Sequence, residues 1–136
     1  MNLYELAFTC YIYDHFTSFN RTYKNFRELT GKELDLYDSA HRQHLIDWLN
    51  DWGCRQFSLR HHDNASEQIL AWYRENLNDL PPGDKKLWEL TGQELAEISE
   101  VYNDLVVRKA SQVSTNSRSF SKTVGPTGAS KILFAL

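Results

Sequence analysis

Three short stretches hold the side chains able to do chemistry. His41, His44 and Asp47 recur at i, i+3 and i+6 within a helical pattern, a spacing at which two imidazoles and a carboxylate can share a divalent cation. Projected at about 100° per residue, His44, Asp47 and Asp51 fall on the polar side, away from Leu45 and Leu49. That is a solvated helix face, so neither a metal nor a cofactor is expected. His61, His62 and Asp63 form a second cluster. Histidine titrates near neutrality and can move a proton, but the sequence pairs these with no nucleophile, and Asp63 or Asn64 is more simply a helix cap. No catalytic residue is assigned. The third stretch, "VGPTGASK" at 124–131, combines glycines with a lysine, the ingredients of an anion cradle.

Part of that stretch matches the nucleotide-binding pattern G-x-x-x-x-G-K-[ST], with Gly125 and Lys131 in place. Ser130 replaces the second glycine, Ile132 replaces the magnesium-binding hydroxyl, and the preceding "RSFSKT" is too polar for the strand such a loop follows. That chemistry is excluded. "TVGPTGASKIL" at 123–133 instead resembles the second half of a helix-hairpin-helix motif of the DNA glycosylase-like superfamily, written G-V-G-P-x-x-A-x-x-I-L. Gly125, Pro126, Ala129, Ile132 and Leu133 match, with Val124 as the apolar hairpin residue and Thr123 at the first glycine. The resemblance implies that Gly125, Thr127 and Gly128 offer backbone N–H groups to a phosphate at a helix N-terminus, with Lys131, Lys122 and Arg118 adding charge. The family's catalytic aspartate lies downstream of this hairpin, so no catalytic role is carried over.

The charge distribution agrees with an anion-facing end. Five of the 15 basic residues and none of the 18 acidic ones lie after Asp104, so residues 105–136 carry +5 and residues 1–104 carry −8. Four tryptophans, Trp48, Trp52, Trp72 and Trp88, could stack on bases, but their helical spacing predicts core packing.

The elements that must position these groups are helical. Leu3, Leu6, Ala7, Cys10 and Tyr11 follow an amphipathic period over 3–16. Residues 40–57 place Leu45, Leu49 and Trp52 on one stripe widened by Ile46, Trp48 and Phe57, which predicts a central helix covered on two sides. A further helix is expected from Asn64 to about Leu77, ended by "DLPPGD". "ELTGKEL" at 28–34 and "ELTGQEL" at 89–95 both read as capping boxes, with Thr30 and Thr91 as N-caps and Glu33 and Glu94 three residues on. Residues 110–123, rich in serine and threonine, read as a loop or linker. The expectation is an all-α fold, a single irregular bundle of about five or six helices: a helical domain over 1–109, the loop over 110–123, and the start of a C-terminal helix over 124–136.

At 41% apolar residues the chain is too hydrophobic to be disordered, and no apolar run approaches the roughly 20 residues that cross a bilayer. No membrane association is expected, and "MNLYELAFTCYIYDHF" does not read as a signal peptide. Cys10 and Cys54 are expected to be reduced and buried, in keeping with a cytoplasmic protein. "SKILFAL" carries no glycine cap or polar tail, so the last helix is expected to continue in a longer protein. Two functions follow: contact with a nucleic-acid backbone, or a non-enzymatic protein–protein assembly module in which Ile132, Leu133, Phe134 and Leu136 bury against a partner or the missing C-terminal portion.

Overall fold

The apolar stripe at 45–49 is the centre of the molecule. The computed structural model describes residues 3–31, 33–57, 62–83, 85–115 and 118–136, and among them six α-helices dominate. Helix α3 (Ser39–Asp51) starts at Asp38, whose carboxylate accepts from the Ala40 N–H at 2.7 Å. Leu45, Ile46 and Leu49 of α3 are fully buried, with α2 (Phe19–Leu29) on one side and α4 (His62–Asn76) on the other. Trp48 stacks on Phe26 of α2 with ring centroids 5.0 Å apart. Trp72 of α4 is buried and donates through Nε1 to the Val101 carbonyl of α5 (Gly92–Val107) at 3.0 Å. Trp48 and Trp72 are therefore core residues, whereas Trp52 is half-buried and Trp88 is exposed.

Arg42, on the buried side of α3, is the polar tie in this core. Its guanidinium donates to the Leu36 and Tyr37 carbonyls at 2.8 and 2.9 Å and to Ser66 Oγ of α4 at 2.8 Å. These bonds replace the water that burial removes, and they fasten the loop before α3 and the start of α4 to one side chain.

The repeated phrase does two different jobs. At Thr91 the capping box forms: Glu94 N–H donates to Thr91 Oγ1, and the Glu94 carboxylate accepts from the Thr91 N–H. At Thr30 it does not, and that expectation is corrected. Thr30 is the C-cap of α2, its hydroxyl donating back to the Phe26 carbonyl, and Gly31 takes a left-handed φ of 61°. A helix that arrives from upstream needs that glycine to end. Helix α3 likewise stops at Asp51 instead of reaching Phe57. Gly53 turns the chain at φ 81°, and a short 3-10 turn over Arg55–Phe57 carries Phe57 into the core.

The expected loop over 110–123 is corrected: its described residues, 110–115 and 118–123, are strand. Strands β1 (Lys109–Thr115) and β2 (Arg118–Thr123) form an antiparallel hairpin that sets Val113 opposite Phe120. A bulge between Lys109 and Ser111 leaves Ala110 and Ser111, consecutive in sequence, both buried. Strand side chains alternate between faces, so two neighbours turn inward only where the ladder carries an extra residue. Serine and threonine hid this strand, because the bulge breaks the apolar alternation that would have marked it. Helix α6 (Gly125–Ala135) follows β2 directly and packs on α5.

Helix α1 (Leu3–Phe16) forms over the expected residues, but the expected amphipathic stripe is corrected: apolar side chains stand on all faces and none of those described enters the core. Every described side chain from Tyr4 to Tyr13 is exposed, including Cys10, while Cys54 is buried.

One consequence is acid sensitivity at the start of α5. Lys85 Nζ, 2.5 Å from Glu94, together with the Thr91 N–H and hydroxyl, holds the Glu94 carboxyl down to about 2 from its ordinary 4.5. A carboxyl with a depressed folded pKa stabilises fully above its unfolded value and loses that contribution as pH falls through the folded one. Thermal melts should therefore show a midpoint that drops between about pH 4.5 and 2. In Glu94→Gln the drop should be shallower, the two proteins converging at the acid end.

Candidate functional site

The head of α6 is where the glycine–lysine stretch acquires a shape. Val124 is held on both sides: its N–H donates to the Arg108 carbonyl at 2.8 Å, and its carbonyl accepts from Gln56 Nε2 at 2.6 Å. Gly125 then turns the chain at φ 70°, a left-handed conformation that side-chain-bearing residues rarely adopt. Pro126 occupies the first turn, where its missing N–H costs nothing.

Helix starts leave their first amides without intrahelical acceptors. Counting from Gly125 as the first helical residue, the Val124 amide is used by Arg108, Pro126 has none, and Gly128 is the first residue with a carbonyl four positions back. Gly125 and Thr127 are therefore the amides that remain. No side chain caps this terminus and no acidic residue lies in its first turn. Thr127 and Pro126 are exposed. Gly128 has a different part from the one its sequence suggests. It is buried, and a Cβ there would stand 3.0 Å from the Phe57 ring, 3.1 Å from Val124 Cγ1 and 3.2 Å from Gln56 Nε2. It contributes a missing side chain, not a free donor.

Lys131, one turn further on, lays its ammonium 3.3 Å from the centre of the Trp52 ring. Burial lowers its pKa, with nearby Cys54 acting the other way. Burial raises the Cys54 thiol, against the pull of Lys131. A small cavity of about 210 Å³ opens beside the turn, lined by Trp52, Gly53, Cys54, Gln56, Gly125, Pro126 and Thr127. Trp52 Nε1 is itself buried without a hydrogen-bond acceptor among the described residues. The cavity lining includes no carboxylate. Nothing in that lining pairs a nucleophile with a base.

Of the residues singled out in the sequence, Gly125, Thr127, Gly128 and Lys131 come together here. Lys122 is exposed near the end of β2, one residue before Thr123. Arg118 opens β2 at the far end of the hairpin, roughly 17 Å along the strand from Thr123 at about 3.4 Å per residue, and its side chain lies outside the described residues. Arg108 and its positive charge are already committed. The guanidinium bonds Asp104 at 2.6 Å and also Glu75, which raises its pKa further. Burial pushes the Asp104 carboxyl up, but hydrogen bonds from Arg108 and Asn76 outweigh it and hold the carboxyl below its ordinary value.

The histidine stretches behave differently. His41 Nδ1 accepts from the Asp35 N–H at 3.1 Å, tying the loop to α3, and Asp47 accepts from Gln43 Nε2 at 3.1 Å. Among the described residues no three His, Cys, Asp or Glu side chains gather as metal ligands. His61 and the side chains of His62 and Asp63 lie outside the described residues. Trp52, Cys54 and Gln56 were missed in the sequence. The available signal was "WGC", a glycine interrupting the apolar helix period, which marks a turn.

Comparison with known proteins supplies no relative: no family model matches the chain, and no curated protein or solved structure matches it significantly.

Gly128 gives a test of this architecture in which the sign is diagnostic. Glycine to alanine inside a helix ordinarily stabilises by about 0.5–1 kcal/mol. Here the added methyl must displace Phe57 and Gln56, so Gly128→Ala should instead destabilise by about 1–3 kcal/mol in urea titrations. An exposed control, Ser130→Ala, should change stability by less than about 0.5 kcal/mol.

Proposed function

We propose that this chain contacts a nucleic-acid backbone, without reading base sequence, through the head of α6. One observation carries the reading: the helix begins at the Gly125 turn, next to exposed Pro126 and Thr127, with no capping side chain and no acidic residue in its first turn. Such a terminus attracts phosphate through its unpaired N–H groups and the positive end of the helix dipole. Lys131, with no carboxylate in the adjoining cavity, and exposed Lys122 add charge of the right sign. The helix-hairpin-helix resemblance points to the same residues. The segment before Gly125 is a β-hairpin and not the motif's first helix, so the reading stands on the turn and helix that follow.

Fluorescence anisotropy with a labelled random-sequence duplex tests it. Binding should weaken with salt at a slope near −0.9 per phosphate neutralised. For two lysine contacts that is about a tenfold loss between 50 and 200 mM salt. Thr127→Glu separates binding from folding. A carboxylate in the first turn favours the helix dipole, so stability should hold or rise, while affinity should fall by at least about tenfold. No binding at low salt, or binding indifferent to both salt and Thr127→Glu, removes the proposal.

A second reading, a protein–protein assembly module, has its own observation. An apolar cleft of about 610 Å³ runs between the end of α6 and the segment 77–83, lined by Leu34, Tyr73, Leu80, Ile98, Leu133 and Phe134 among others. Phe134 is 68% exposed. Ile132 is fully buried inside the chain itself, so it leaves the set expected to meet a partner.

A further inference from the structure

The base of the β-hairpin carries a cation that the head of α6 does not account for. Residues 109–136 hold four basic residues, Lys109, Arg118, Lys122 and Lys131, and no acidic one. Lys109 opens β1 and pairs with Thr123, two residues before the Gly125 turn, and its side chain is exposed. Lys122, on the facing strand, is exposed as well. Neither makes an ion pair among the described residues.

Arg108 explains why Lys109 is left over. It has already left the helix, with φ −59° and ψ 144°, and its guanidinium is closed by Asp104 and Glu75. Successive side chains of an extended chain leave on opposite sides. The carboxylates that take Arg108 therefore stand on the side that Lys109 turns away from, and Ala110, after it, is buried again. The backbone here is fixed. The Val124 N–H donates to the Arg108 carbonyl at 2.8 Å, and Asn64 Nδ2 donates to the Lys109 carbonyl at 3.2 Å. Two Cα–Cα steps and one strand pairing separate Lys109 from Gly125, so their Cα atoms are at most about 13 Å apart. That span reaches neighbouring phosphates of one strand, which rise about 3.4 Å each.

We infer that the phosphate-contacting surface continues from the head of α6 onto the base of the hairpin, with Lys109 as a third lysine contact beside Lys122 and Lys131. The inference rests on the nucleic-acid reading and adds a residue which that reading does not need. A lysine held by its backbone and left without a carboxylate keeps its full charge for a phosphate.

Salt titrations of the labelled random-sequence duplex test it, run on the full chain and on Lys109→Ala, Lys109→Arg and Lys86→Ala. Each phosphate neutralised adds about −0.9 to the slope of log affinity against log salt. A third lysine contact raises the loss between 50 and 200 mM salt from about tenfold to about fortyfold. Lys109→Ala should return it to about tenfold with an unchanged thermal midpoint, because the side chain is exposed. Lys109→Arg keeps the charge and should keep the wild-type slope. Lys86 is the control: it is exposed and follows Gly83, which lies against the Leu136 carbonyl at the far end of α6. Its removal should leave the slope unaltered. A wild-type slope in Lys109→Ala, or an equal drop in Lys86→Ala, overturns the inference and leaves the nucleic-acid reading standing. A wild type that does not bind at low salt overturns both.

Discussion

The position of α6, and with it the cluster of residues near Gly125, depends on how closely the α6 backbone approaches the Phe57 and Gln56 side chains at Gly128. The helix lies so near the Phe57 ring and Gln56 that a Cβ on Gly128 would stand 3.0 and 3.2 Å from them, and those side chains would have to shift to admit it. That proximity lets Gln56 reach the Val124 carbonyl, which fixes the residue before the turn. It also brings Lys131 over Trp52. The turn at Gly53 is the matching half of the arrangement, since it ends α3 and swings Gln56 and Phe57 back toward α6. Two glycines far apart in sequence thus cooperate, one by bending the chain and one by leaving space.

The helical architecture was legible because its signals are local. The capping box at Thr91, the apolar stripe of α3 and the break at "DLPPGD" each depend on residues within a few positions of one another. What was misread depends on surroundings. "ELTGKEL" and "ELTGQEL" differ by one residue, and only the presence of a helix upstream of Thr30 decides that the first is an end and the second a beginning. The hairpin over 109–123 is held by cross-strand pairing and by the Asn64 side chain donating to the Lys109 carbonyl, neither of which leaves a period in the sequence. Helix α1 shows the reverse failure. The segment is helical, but its apolar side chains stand on every face, so the spacing of Leu6, Ala7, Cys10 and Tyr11 marked no face that the core covers.

The candidate site was legible in part. Gly125 and Pro126 announced a turn followed by a helix, and both are found there. The resemblance implies an amide donor at Gly128, whereas the structure gives that residue a steric part. Trp52, Cys54 and Gln56 come from the far side of the fold, and no spacing rule could have joined them to residues 124–131. Of the five basic residues after Asp104, Arg108 does not add free positive charge, because Glu75 and Asp104 close on it.

That last point separates two ways of holding a cation. Arg108, flanked by two carboxylates, belongs to a cluster whose formal sum is −1, so at a distance the group looks anionic. Lys131 rests on an indole face, which attracts an ammonium through its quadrupole but carries no opposite net charge. Its monopole survives, and its field extends into solvent over about a Debye length, about 8 Å at physiological ionic strength. An aromatic cradle therefore fixes a cation in place without extinguishing its long-range pull.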